Sequence, residues 1–184
     1  MKTTTVKFTG KEKIEFVEEE VQDPKENEIV IKTAKTMIST GTELAILAER
    51  HTHHLIGRKS WCSYPWRAGY INAGTIVKKG KNVANYREGD RVLSSNCNSI
   101  YWKCDQTEIV PIPDKVKDEE ALFAIIGGIV LPGVRMADIK IGDSAAVVGL
   151  GLLGRFAFKC AKLTVLYRRL ESTFRNSDWI LPKR

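Results

Sequence analysis

The sequence lacks a long hydrophobic segment, and this absence argues against a membrane-spanning helix. The longest uncharged run, residues 121–134, contains Gly127, Gly128 and Pro132. Its 14 residues fall short of the roughly 20 apolar residues that a span requires. The first residues include no apolar segment of a secretory signal. We therefore expect neither a membrane partner nor secretion.

Cysteine is also scarce. Cys62, Cys97, Cys104 and Cys160 are irregularly spaced and form no C-x-x-C pair. A disulfide scaffold is therefore excluded, and reduced thiols in a cytoplasmic protein are expected. The 184 residues, 43% of them hydrophobic and 28% charged, suit a globular protein with one domain, or one domain and part of a second.

The excess of positive charge does not indicate nucleic-acid binding. Of the net +7, the tail at 164–184 carries +3, and the other charges are interleaved with acids, as on an ordinary solvated surface. Trp61, Tyr64 and Trp66 lie near basic residues and imitate a platform for stacking bases. Packing, or the rim of a cleft, is the better interpretation, and we expect no nucleic-acid partner.

Short strands separated by close turn signals dominate residues 1–113. The sequence predicts a helical patch at 41–50 and an irregular segment at 51–66. Strands are predicted at 3–9, 14–18, 28–33, 73–78, 91–94 and 107–112. Such a series indicates a small β-barrel or sandwich.

The pattern changes to helix-like stretches over 114–139, where Asp118, Glu119 and Glu120 suit the first turn of a helix. A short strand is predicted at 144–148, followed by a glycine-rich turn and a helix ending near residue 163. Strand, turn and helix in this order are the start of a βαβ unit.

The glycine-rich turn reads Gly149-x-Gly151-x-x-Gly154. In a dinucleotide site the first glycine permits a tight turn, the second lets the backbone approach a pyrophosphate, and the third allows close helix packing. Leu152 and Leu153 open the helix, whose N–H groups would face the phosphates. Because the motif follows a predicted strand and opens a predicted helix, we favour NAD or NADP binding over a simple packing turn.

An acid that binds the ribose is expected about 20 residues further on. Glu171 lies near that distance, but Arg168 and Arg169 interrupt the second strand, so it is a weak candidate. The choice between NAD and NADP stays open.

Several segments together resemble the medium-chain dehydrogenase/reductases, the alcohol dehydrogenase-like superfamily. They occur in that family's order and spacing, at 28–32, 38–44, 69–74, 88–92, 109–115 and 139–154. The resemblance implies a GroES-like β-barrel at 1–113, then linker helices and the first βα unit of a Rossmann domain at 114–163. It stops near residue 163, so the chain carries about half of the length that these motifs imply.

The catalytic zinc of that family is not expected. Zinc-dependent members have Cys where this chain has Thr40 and His where it has Tyr70, so two of three protein ligands are absent. Cys97 and Cys104 lie near the family's four-cysteine lobe but cannot form it. The chain resembles the zinc-independent branch.

The same resemblance suggests catalytic hydroxyls. Thr42 matches the family residue that relays the substrate proton, with helix capping as the alternative. Tyr70 would orient the substrate or donate a proton beside it, or would only pack. Thr40, Thr42 and Tyr70 are therefore the candidate catalytic residues.

Three histidines, His51, His53 and His54, lie in the irregular segment, with Glu43, Glu49 and Cys62 nearby in sequence. Imidazoles bind zinc well, but no further ligand lies at a recognisable spacing. No metal site is therefore predicted.

The tail at 164–184 shows no family pattern. Permitted codons for 175–184, read two bases further on, encode a stretch that resembles the family sequence after its second Rossmann strand. We interpret the tail as a frameshift product, which the coding DNA would test.

Together these features predict an oxidoreductase that transfers hydride between NAD(P) and a carbonyl or alcohol substrate, without catalytic zinc. The expected partners are a small-molecule substrate and, as an open possibility, a second copy of the chain. Because the nucleotide crevice forms between two βαβ halves, the activity of this chain by itself stays open. The alternative is a non-catalytic GroES-like interaction module or remnant, whose apolar helix at 152–163 would seek a partner.

Overall fold

A computed structural model describes residues 1–57, 59–140 and 142–164, together with the strands Thr173–Arg175 and Asp178–Ile180. The chain divides into two compact units, Met1–Leu122 and Phe123–Arg184. Within the described ranges, no helix is both long enough and apolar enough to cross a membrane. The four cysteines are free thiols, as predicted.

The first unit is built from two antiparallel sheets. Its strands are β1 (Lys2–Gly10), β2 (Lys13–Glu20), β3 (Glu28–Thr36), β4 (Trp66–Arg67), β5 (Asn72–Lys79), β6 (Arg91–Ser94), β7 (Tyr101–Asp105) and β8 (Ile109–Pro111). One sheet has the order β2-β1-β4, and the other has the order β7-β3-β5-β6-β8.

The first half of β3 is deeply buried. Ile29, Val30 and Ile31 are consecutive, and none is more than 2% exposed. This strand pairs with β5 on one edge and with β7 on the other, and an unbroken apolar run is typical of a strand that is covered on both faces. Ile29 and Ile31 join a core cluster with side chains from β5 and β6.

A second core cluster holds the helical segment against the smaller sheet. It consists of the buried side chains Phe8, Ile46, Cys62, Trp66 and Ala68. Ile46 belongs to α1 (Thr40–Leu47), and Cys62 follows α2 (Thr52–Leu55). Apolar contact therefore helps to hold α1 and Cys62 against the smaller sheet.

The second unit contains most of α3 (Asp118–Met136) and all of α4 (Leu152–Thr164). Phe123 and Phe156, one from each helix, stack with ring centroids 5.9 Å apart. The strands β9 (Thr173–Arg175) and β10 (Asp178–Ile180) pair antiparallel. Glu171, considered above as a ribose ligand, and the neighbouring Arg168 and Arg169 lie outside the described residues.

All six strands predicted within residues 1–113 are confirmed, and β4 and β7 are additional. The predicted helical stretches correspond to α1, α3 and α4, and the acids at the first turn of α3 are where they were expected. The predicted strand at 144–148 is wrong, because that segment belongs to no strand or helix and Val148 is 86% exposed. A strand is held by hydrogen bonds to a neighbour, and no described segment pairs with this one.

One buried carboxylate fixes the start of α1. Glu43 is 3% exposed, and its Oε1 accepts a hydrogen bond of 2.7 Å from the backbone N–H of Ser39. The carboxylate also accepts from the backbone N–H of Gly69, which precedes β5. Burial raises the pKa of this carboxyl group, and the two N–H groups oppose that rise. Glu43 therefore joins two segments that lie far apart in the sequence.

We predict that Glu43→Ala destabilises the first unit by about 1–3 kcal/mol, because the N–H groups of Ser39 and Gly69 lose their acceptor. Glu43→Gln keeps an oxygen acceptor and removes the charge that burial disfavours. This variant should be at least as stable as the wild type at neutral pH. Urea unfolding of the three proteins measures both differences.

The pH dependence of the same variants provides the control. Because burial raises the pKa of Glu43 above its ordinary value of 4.5, ionisation costs stability as the pH rises through the interval between the unfolded and folded values. The stability of the wild type relative to Glu43→Gln should therefore fall as the pH rises above 4.5. If the difference in stability between the wild type and Glu43→Gln does not change with pH, this role of the carboxylate is contradicted.

Candidate active site

The candidate catalytic hydroxyls lie on the first turn of α1. Ser39 is the N-cap residue, so Thr40 begins the helix and Thr42 lies within its first turn. Thr40 is exposed and Thr42 is half-buried. Because the N-cap position belongs to Ser39, the capping role considered for Thr42 is wrong.

Tyr70 lies in the turn between β4 and β5, next to Gly69, and is half-buried. Glu43 follows Thr42 in sequence, and its carboxylate accepts the N–H of Gly69. The fold therefore brings Thr42 and Tyr70 onto adjoining segments although 28 residue positions separate them in the sequence.

The residues at the positions of the family's catalytic zinc do not fit that ion. Thr40 and Tyr70 carry neutral hydroxyls, whereas protein zinc sites use thiolate, imidazole and carboxylate ligands. The nearby carboxylate of Glu43 is already bound to two backbone N–H groups. No chemical step through a zinc ion at this place follows from these side chains.

Cys97 and Cys104 also differ from zinc ligands. Both are buried, and burial raises the pKa of each thiol to about 11. Cys104 receives a weak contact of 3.7 Å from the amide of Asn96. Within the described part of the chain, neither cysteine belongs to a group of three potential metal ligands.

The three glycines of the turn before α4 each have the backbone feature expected of a dinucleotide site. Gly149 has a φ of +88°, which a residue with a side chain adopts only with strain. A Cβ on Gly154 would collide with the backbone carbonyl oxygen of Gly149. At Gly151 a Cβ would meet nothing within 4 Å, so its backbone is open to an approaching group. These features fit a pyrophosphate.

Leu152 and Leu153 form the first turn of α4 and are both exposed. The first N–H groups of a helix have no intrahelical acceptor, and the helix dipole favours an anion beside them. The predicted cofactor-binding residues thus lie together in one exposed turn.

The fold also brings together three residues that the sequence analysis considered as metal ligands and set aside. His51, His54 and Cys62 place potential ligand atoms within 4.8 Å of one another. The signal in the sequence was the spacing of His51 and His54, which is one helical turn. Cys62 lies eight positions beyond His54, at a spacing that belongs to no ligand motif.

The three aromatic rings near this group do not form a common platform. Trp66 is buried in the core cluster, and the Tyr64 hydroxyl donates a hydrogen bond of 2.6 Å to the Ile46 carbonyl. Trp61 is exposed and meets the edge of the His51 ring. Packing therefore accounts for Tyr64 and Trp66, as the sequence analysis expected.

No family model matches the chain. Acryloyl-coenzyme A reductase of Metallosphaera sedula is 27% identical over 177 residues, which cover 78% of this chain and 51% of that protein. (R,R)-butanediol dehydrogenase of Bacillus subtilis is 27% identical over 133 residues, covering 56% of this chain and 38% of that protein.

Solved structures show the same fold. The B. subtilis 2R,3R-butanediol dehydrogenase matches 89% of this chain and 55% of its own, with a TM-score of 0.71 at 19% identity. A Sinorhizobium meliloti dehydrogenase, described as zinc-binding and bound to NADP, matches 90% of this chain and 54% of its own, with a TM-score of 0.74 at 17% identity.

The chain spans about half the length of the relatives and structures that it matches over most of its own length. The matched structures combine a GroES-like domain with a Rossmann domain, which agrees with the two antiparallel sheets and the glycine turn described above. The relatives and solved structures that this chain resembles are medium-chain dehydrogenase/reductases of the zinc-type alcohol dehydrogenase and enoyl reductase kinds.

Proposed function

We propose that this protein is an oxidoreductase that transfers hydride between NAD(P) and the carbonyl or alcohol group of a small molecule. The observation that carries the proposal is the turn before α4, where Gly149 is left-handed and Gly154 has no room for a side chain. Similarity to dehydrogenases and reductases supports the same class of reaction. When bound, NAD(P) supplies or accepts the hydride.

Backbone groups at the start of α4 would hold the cofactor. The N–H groups of Leu152 and Leu153 would donate to its phosphates, helped by the positive end of the helix dipole. The open backbone at Gly151 would lie closest to the pyrophosphate. These contacts are common to NAD and NADP, so they leave the choice between the two open.

Hydroxyl groups would bind the substrate and transfer its proton. Thr42 and Tyr70 would hold the substrate oxygen, and one of them would pass its proton while hydride moves. Thr40, exposed on the same helical turn, would help to orient the substrate. Because these side chains are poor zinc ligands, the proposed reaction uses no zinc at this place.

A second candidate function rests on the second unit. Met136, Val148 and Leu163 are between 84% and 88% exposed, and exposed apolar side chains favour contact with a partner. A GroES-like module that binds another protein through these residues, or through a second copy of the chain, would need no cofactor.

Cofactor binding separates the two functions. We predict that the fluorescence of NADPH or NADH changes on titration with the full chain, with half-saturation between about 1 μM and 1 mM, the usual range for enzyme substrates. The cofactor is whichever of NADH and NADPH binds more tightly. Absence of binding by either at millimolar concentration would reject the enzymatic proposal for this chain and leave the interaction module.

The substitution Gly151→Ala tests where the cofactor binds. A Cβ at this position meets no atom in the structure, so the fold should be unchanged. A bound pyrophosphate would meet it, and we predict an affinity for the cofactor that is lower by about tenfold or more, or about 1.4 kcal/mol. Gly133→Ala, in α3, also meets nothing within 4 Å and is the matched control. Equal effects of the two variants would contradict the assignment.

The substitutions Tyr70→Phe and Thr42→Val test the proposed proton transfer. If a hydroxyl relays the proton, loss of the relevant one should lower the rate of NAD(P)H-dependent carbonyl reduction by about 10²–10⁴. Cofactor affinity should not change, because the proposed phosphate contacts come from the backbone of the glycine turn and of α4 and involve neither hydroxyl. The measurement is kcat against a panel of aldehydes and ketones. If both variants keep the full rate, Thr42 and Tyr70 have no role in the chemistry.

A further inference from the structure

The segment after α1 brings together two imidazoles and one thiol. His51 is the N-cap of α2, and His54 lies one turn later in that helix. Cys62 is 1% exposed and belongs to the core cluster with Phe8 and Trp66. The ligand atoms of the two histidines and the cysteine all lie within 4.8 Å of one another.

The cysteine sulfur and one histidine nitrogen are as far apart as sulfur and nitrogen ligands of one tetrahedral zinc ion. Sγ of Cys62 and Nδ1 of His51 are 3.6 Å apart. A zinc ion with a Zn–S bond of about 2.3 Å and a Zn–N bond of about 2.05 Å at the tetrahedral angle separates its sulfur and nitrogen ligands by about 3.6 Å. These two side chains would therefore need little movement to bind one ion.

A hydrogen bond between Cys62 and His51 does not account for the third residue. Neither Nδ1 nor Nε2 of His54 has a hydrogen-bond partner among the described residues, although both atoms are buried. Buried polar atoms in native proteins usually have a partner. The His54 ring is instead packed against Tyr64, with ring centroids 5.4 Å apart. An ion bound by all three side chains would satisfy one of the two nitrogens.

We propose that His51, His54 and Cys62 form a binding site for Zn²⁺. A thiolate with two imidazoles is a donor set that zinc prefers, and a water molecule would complete the tetrahedron. The site uses neither Thr40 nor Tyr70, the positions that correspond to ligands of the family's catalytic zinc. It would fasten α2 to the core of the first unit through Cys62, and it does not depend on the proposed oxidoreductase activity.

The first test uses the untagged full chain after removal of metals. One equivalent of Zn²⁺ should bind and should raise the melting temperature of the chain, because the ligands are close together only in the folded state. Co²⁺ in place of zinc should give a thiolate-to-cobalt charge-transfer band and the intense visible bands of a tetrahedral ion. X-ray absorption of the zinc form should show one sulfur neighbour at about 2.3 Å and two histidine nitrogens at about 2.0–2.1 Å.

Matched variants identify the ligands. His54→Gln and Cys62→Ser should weaken zinc binding by more than the 10–100-fold that changes outside the ligand shell typically cause. His53→Gln removes the neighbouring imidazole, which stacks on His51 but is outside the group, and Cys160→Ser removes a thiol of α4. Both controls should bind zinc as the wild type does.

Each alternative result has a definite meaning. The proposal is overturned if the wild type binds no zinc, if the absorption spectrum contains no sulfur neighbour or more than one, or if His54→Gln binds as tightly as His53→Gln. The spectra of the wild type decide the question even if a variant does not fold.

Discussion

The hydrogen bonds of the buried Glu43 carboxylate are the constraint on which the proposed active site depends. They tie the N–H of Ser39, at the start of α1, to the N–H of Gly69, at the turn before β5. Thr42 immediately precedes Glu43, and Tyr70 immediately follows Gly69. A buried carboxylate is tolerated only when its oxygens are bound, so these two segments stay together as long as the fold keeps Glu43 from water. Because the Glu43 carboxylate already accepts these two N–H groups, it is not a candidate metal ligand.

The strands could be predicted where a pattern of alternation or a run of β-branched residues reports burial directly, as in β1, β3 and β5. β7 escaped prediction because four of its five residues are only partly buried and its polar residues hide the alternation. The segment at 144–148 shows the opposite failure. Its composition favours a strand, but a strand exists only through pairing, and composition says nothing about which segment lies alongside.

The parts of the site that the sequence could predict are those that depend on consecutive residues rather than on contacts between distant ones. The glycine turn is a property of consecutive residues, so the roles of Gly149 and Gly154 follow from local backbone geometry. The group of His51, His54 and Cys62 depends on the packing of Cys62 with Phe8 and Trp66, one of which lies far away in the sequence. No spacing rule records such a contact, and the sequence analysis therefore named these residues but predicted no metal site.

The buried cysteines show why environment, rather than residue type, decides where metal chemistry can occur. Burial raises the pKa of the Cys97 and Cys104 thiols to about 11, which disfavours the thiolate that a metal requires. Cys62 is buried more completely, yet it faces Nδ1 of His51 at 3.6 Å and the unpartnered His54. A metal ion brings its own charge, which stabilises a thiolate in a buried place. In the first unit, the neutral hydroxyls of Thr40 and Tyr70 are poor zinc ligands, whereas the thiol of Cys62 and the imidazoles of His51 and His54 are a donor set that zinc prefers.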